Sequence, residues 1–212
     1  RPLPEEFPVR KQEAKRHFTD LDFAAYFNHN DAIRKAFSKL GFEEDREVAV
    51  VYARQRLIFF KPGTELHVDI FFDKLDFCHP IPWTGRLEID NPTIPLAELL
   101  MEKMQIVKIN EKDVIDTIML LLEHPLGEID HETINLRRVA KLCGEDWGLW
   151  RTLTMNMEKV KVLAQGYAAL SDDEKRTVAT QVEASLARIE AEPKTMAWRL
   201  RARVGDRVKW YK

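Results

Sequence analysis

The sequence predicts an α+β protein, a mixed β-sheet core followed by an all-helical C-terminal half. Two observations carry that prediction. Short β-type runs bounded by turn residues fall before residue 92, among them TDLDF, RLIFF and HVDIFF. After Pro95 the apolar residues recur at spacings of three and four. The expected division is an α+β domain over 1–127 and a helical domain over 128–212 that ends in a basic tail.

Taken in order, residues 1–16 are rich in Pro and charge and read as a loop. A strand begins at Phe18 in FTDLDFAAYF, and a helix over Asp31–Leu40 is closed by Gly41. Glu47–Ala53 and Arg56–Phe60 read as the two strands of a hairpin. Lys61-Pro62-Gly63-Thr64 is a turn before the apolar strand His67–Phe72, and Arg86–Ile89 is a further short strand. Helices follow over Leu96–Val107 and Lys112–His124, joined by a turn at Asn110, and over Asn135–Leu142, stopped by Cys143-Gly144. Leu153, Met157, Val160, Ala164 and Tyr167 form the next helical stripe. Ser171 and Glu174 make a capping box for a helix reaching about Ile189, with Val178, Val182, Leu186 and Ile189 as its stripe and Pro193 beyond its end.

Composition narrows the function classes. With 212 residues, 45% hydrophobic and 32% charged, the chain is neither disordered nor fibrous. No apolar run approaches the roughly 18–20 residues that span a bilayer, so no membrane partner is expected. Cys78 and Cys143 read as thiols of a reducing compartment, hence a cytoplasmic protein. Basic and acidic residues nearly balance at 33 and 35, which gives no global pull toward nucleic acid. The six histidines lack zinc spacing, and the adjacency of Cys78 and His79 is not a hydrolase arrangement. From Lys194 to Lys212, seven basic residues face one acid, with Trp198, Trp210 and Tyr211 interleaved. That segment is either a solvated tail or a guide for an RNA or tRNA acceptor.

The carboxylates in the strands are the chemical signal. Alternation along TDLDF sends Asp20 and Asp22 to one face and Leu21 and Phe23 to the other. Like charges side by side repel, unless the face is a solvated edge or a hard divalent cation lies between them. Asp69 falls in the middle of HVDIFF, where an unpaired carboxylate costs several kcal/mol. It needs a metal, an open cleft, or an arginine such as Arg54 or Arg56. Three carboxylates on two strands are the makings of a two-cation site that binds a nucleoside triphosphate and activates a hydroxyl.

Lys103 falls within the apolar stripe Leu96, Leu99, Leu100, Met104 and Val107. It must snorkel, pair with a carboxylate, or face a phosphate ligand. Asn110 and Asp113 suit the start of a helix as N-cap and first-turn acid, and Asp116 lies one turn on.

In combination, Arg16-x-x-Thr19-Asp20-Leu-Asp22-Phe23, the strand around Asp69, LLMEKM around Lys103, and Lys112-Asp113-Val-Ile-Asp116 resemble the DNA polymerase β-like nucleotidyltransferase superfamily. Within it they are similar to the AbiEii-type toxin-like enzymes, over about residues 16–122. The resemblance implies a metal-dependent nucleotidyltransferase that moves NMP from an NTP to a hydroxyl of RNA or tRNA, a protein or a small molecule. It implies Asp20, Asp22 and Asp69 as catalytic and Mg2+ (or Mn2+) ligands, Lys103 and Asp113 as nucleotide-binding residues, and a cognate antitoxin as a partner. The family carries a Gly-rich phosphate turn before the Asp pair, whereas residues 1–19 contain no glycine. Since the chain begins at Arg1 rather than Met, the turn is expected upstream; its loss would instead make this a non-catalytic binding module.

Overall fold

The computed structural model describes residues 20–52 and 54–212. The expected loop over 1–16, and with it Arg16, Phe18 and Thr19, lies outside them. The architecture is α+β, with a small mixed sheet N-terminal and helices thereafter. The described residues pack as two compact units, the first ending at Asp73 and the second over 74–212. Sequence placed the division near 127. Packing places it earlier because the two helices after Pro95 bury themselves against the later helices.

The first unit runs β1 (Asp20–Ala25), a 3-10 turn at Phe27–His29, α1 (Asn30–Lys39), β2 (Glu43–Glu44), α2 (Arg46–Val51), β3 (Arg56–Phe60) and β4 (His67–Phe72). Strand order is β1-β4-β3-β2, with β1 parallel to β4 and the other pairs antiparallel. Leu57 and Phe59 of β3 and Val68, Ile70 and Phe72 of β4 form the core face, against which Phe27, Ile33 and Phe37 pack. Phe37 stacks on Phe59 with ring centroids 4.7 Å apart. Gly41, at φ 75°, reverses the chain from α1 into β2, a conformation that glycine adopts without strain.

Of the segment expected as a strand over 47–53, residues 47–51 are helical instead, as part of α2. Asp45 accepts hydrogen bonds from the Glu47 and Val48 N–H groups, both at 3.0 Å, and so satisfies two donors that a helix start leaves open. That cap outweighs the β preference of Val48, Val50 and Val51, and Ala49 reaches the core. The hairpin partner of β3 is therefore β4, across the predicted turn.

The second unit opens with a small antiparallel pair, β5 (Lys74–Asp76) and β6 (Pro80–Pro82). Helices follow as α3 (Leu96–Met104), α4 (Glu111–Glu123), α5 (Leu136–Glu145), α6 (Trp147–Gly166), α7 (Asp172–Ala191) and α8 (Met196–Val204). A two-residue parallel pair, β7 (Leu126–Gly127) with β8 (Ile134–Asn135), lies between α4 and α5. Leu153, Met157, Val160 and Ala164 are fully buried, as their stripe predicts, and the Ser171–Glu174 capping box is formed.

Three expectations change here. Arg86–Ile89 is a turn, because Arg86 N–H bonds back to Trp83 O and its side chain is held by Glu98 and Asp130. The helix expected to reach Val107 ends at Met104, where buried Asn156 donates to Met104 O and Ile106 O at 2.9 and 2.8 Å and supplies partners for end carbonyls. Gly144 does not stop α5. It is buried in the helix, where a Cβ would lie 2.8 Å from Pro193 O, so glycine permits a close approach.

The basic tail is also folded. Thr195 caps α8, and Arg201 lies over Trp147 at 4.6 Å while donating to Gly205 O and Val208 O. Trp198 packs edge-on to Trp150, and Trp210 donates to Thr152 Oγ1 at 2.9 Å. Among the described residues, no helix is long and apolar enough to cross a membrane.

Candidate functional site

The register of β1 on β4 sets Asp22 opposite Asp69 and Asp20 opposite His67. Paired residues share a face, and neighbouring strands lie about 4.8 Å apart. The core takes the other face of the sheet through Val68, Ile70 and Phe72. Asp20, Asp22, His67 and Asp69 therefore gather on the side away from the core. Asp20 and Asp22 are exposed on the edge strand, while Asp69 is buried on its interior neighbour.

Asp69 has the partner its position requires. Arg56 Nε donates to Asp69 Oδ1 at 3.0 Å and its NH2 group to Oδ2 at 2.7 Å, the two-pronged geometry that suits guanidinium to carboxylate. The Arg56 guanidinium also lies 5.1 Å from the Phe71 ring centroid, which holds it in place. Arg54, the other candidate partner, lies over the Phe27 ring at 4.8 Å. A carboxylate has about four lone-pair positions, so the two bonds from Arg56 occupy half of its accepting capacity.

This donor set fits a hard cation in chemistry, with a limit. Among the described residues, no group of three or more His, Cys, Asp or Glu side chains is arranged to hold a metal ion. Mg2+ does not need such a cage, since it is commonly bound by one or two carboxylates together with substrate phosphates. Asp20 and Asp22 match that requirement, and Asp69 stands as a carboxylate committed to Arg56.

Lys103 and Asp113 lie in the second unit, on α3 and α4. Lys103 Nζ is 3.0 Å from Asp116 Oδ2 and 3.4 Å from Asp113 Oδ1. Burial alone would lower its pKa, but the hydrogen bond and charge of Asp116, with the charge of Asp113, raise it above the ordinary lysine value. The buried face of α3 is Ala97, Leu100, Met101 and Met104, so Lys103 sits at its margin rather than inside the stripe. Of the alternatives open from sequence, carboxylate pairing is the one formed. Asn110 accepts from the Asp113 N–H at 2.9 Å, as its N-cap position predicts.

Sequence reasoning missed the role of Glu98. It is fully buried and accepts from Arg86 and Arg138, while Asp130 takes the other side of Arg86. These residues are far apart in sequence, and an acid between Ala97 and Leu99 was the only local signal. No protein-family model, no curated protein and no solved structure matches the chain.

Proposed function

We propose that the protein is a metal-dependent nucleotidyltransferase moving NMP from a nucleoside triphosphate to a hydroxyl acceptor. The observation that supports this reading is the in-register placement of Asp22 beside Asp69, with Asp20 on the same face. Asp20 and Asp22 would hold Mg2+ or Mn2+, which when bound neutralises triphosphate charge and lowers the pKa of an attacking hydroxyl. Arg56 fixes the orientation of Asp69, which completes the site on the acceptor side. Asp20 and Asp22 both lie on the exposed strand β1. Lys103 and Asp113 serve as an ion cluster joining α3 to α4.

The test is transfer of label from α-phosphate-labelled NTP to cellular RNA. Asp22→Asn should lower transfer by more than ~100-fold, as expected when a metal ligand contributing several kcal/mol is removed, with an unchanged circular dichroism spectrum. Wild-type activity in that variant would exclude the proposal. A second reading, a binding module without chemistry, is favoured by one observation: both Asp69 oxygens already accept from Arg56. It predicts no transfer to RNA, protein or small hydroxyl acceptors, with or without Mg2+.

A further inference from the structure

We propose that a cleft at the β2 edge of the first unit binds a ligand presenting two or more phosphate groups. It is separate from the carboxylate face. The cleft has a volume of about 960 Å³, within the range typical of small-molecule sites. Its wall is basic: Arg34, Lys35 and Lys39 come from α1 and Arg46 from the start of α2, against Glu43 and Glu44.

The charge is only partly matched. Arg34 NH2 pairs with Glu44 at 2.8 Å, while its Nε–H is buried without an acceptor among the described residues. Lys35, Lys39 and Arg46 form no ion pair among the described residues. Lys35 and Lys39 are four apart on one helix, so their side chains neighbour one another and like charges there repel. An anion seated in the cleft removes that repulsion. Against Glu43 and Glu44 the four cations leave a net charge of +2, and two linked phosphate groups can offset it while reaching the cations of both α1 and α2, since arginine and lysine together are the usual partners of such groups.

The placement separates this cleft from the carboxylates. Phe59, a core-face residue of β3, lines it, whereas Asp20, Asp22 and Asp69 occupy the opposite face. The strand order also puts β1 and β2 at opposite edges of the sheet. A metal is not needed, because the protein itself supplies the positive charge.

The probe is inorganic pyrophosphate, titrated calorimetrically at low ionic strength in the presence of EDTA. Saturable binding is expected, weakened at least tenfold in the Lys35→Ala/Lys39→Ala double variant. It should be unchanged in Asp20→Asn/Asp22→Asn and in Arg199→Ala/Arg203→Ala, which removes two exposed cations of α8. Because EDTA silences any metal-dependent site, failure of the nucleotidyltransferase reading leaves this result standing, and the reverse also holds. Competition with a labelled oligouridine identifies the source of the phosphates. Displacement by pyrophosphate, with a log–log salt slope near about −2, indicates a nucleic-acid backbone spanning three cations. An oligouridine that does not compete indicates a free condensed phosphate. Absence of pyrophosphate binding, or equal affinity in the Lys35/Lys39 variant, overturns the proposal.

Discussion

Replacing Glu98 by glutamine should be among the most destabilising polar substitutions in the second unit. The Glu98 side chain has 0% exposure, and its oxygens accept from Arg86 Nε at 2.7 Å, Arg86 NH2 at 2.9 Å and Arg138 Nε at 2.9 Å. Glutamine keeps the volume but removes the charge, and its amide nitrogen faces donors. Arg86 retains Asp130 and Arg138 retains the Pro82 carbonyl, so part of the network survives. Arg86 cannot escape by losing its proton, because although burial pulls its pKa down, hydrogen bonds to Glu98 and Asp130 outweigh that and hold it above the ordinary arginine value. Removing one partner of a buried ion pair costs about 3–5 kcal/mol. With Asp130 still present the lower end applies, about 3 kcal/mol, against a total of roughly 5–15 kcal/mol for a domain. Urea unfolding of wild type and Glu98→Gln, followed by far-ultraviolet circular dichroism, measures the difference. A loss below about 1 kcal/mol would show that the network contributes little and that this reasoning is wrong.

Other predictions follow from the same packing. Cys143 is fully buried and burial pushes its thiol pKa up, so a thiol reagent should modify Cys78 in the native protein and both cysteines only after denaturation; rapid native labelling of Cys143 would contradict the packing. At Gly148 a Cβ would lie 2.6 Å from Trp210 O, so Gly148→Ala should cost roughly 1–3 kcal/mol and displace the C-terminal segment, read by thermal unfolding and tryptophan fluorescence. Burial lowers the His79 pKa from 6.5 against the opposing charge of Asp146, and its Nε2 lies 2.8 Å from Thr152 Oγ1. The unfolded chain therefore takes up this proton first, and stability is lost as pH falls below 6.5 toward the lower folded value. His79→Gln should flatten the stability–pH slope there by no more than about 1.4 kcal/mol per pH unit; an unchanged slope would count against a neutral buried ring.

Much of this architecture is legible in local sequence because it rests on local physics. The α6 stripe from Leu153 to Ala164, the Ser171–Glu174 box and the Asn110 cap are decided within a turn or two of chain, and all three form, whereas Tyr167, expected to extend the stripe, lies just past the helix end. The strand reading of 47–53 failed over 47–51 because β-branched residues favour strands, while the Asp45 cap and the partly buried Ala49 decided for helix. The C-terminal helix was not legible because basic residues are interspersed along 196–204, and the Thr195 cap with the packing of Trp198 on Trp150 and Arg201 on Trp147 decides it. At the candidate site, alternation along β1 was enough to place Asp20 and Asp22 on one face. The burial of Asp69 announced a partner, but the choice of Arg56 over Arg54 depended on β3 pairing with β4. The Glu98 network and the basic cleft both depend on chain segments meeting in three dimensions, which no local pattern encodes.

In the proposed function, Asp20 and Asp22 of β1 bind a nucleoside triphosphate through a divalent cation, beside the Asp69 that Arg56 holds. Calorimetric titration with ATP, CTP, GTP and UTP in turn, with and without Mg2+, tests it most directly in wild type and in Asp20→Asn/Asp22→Asn. One nucleotide should bind in a Mg2+-dependent manner, and the double variant should lose the metal-dependent part. Nucleotide binding indifferent to Mg2+, or retained in full by the variant, would contradict it.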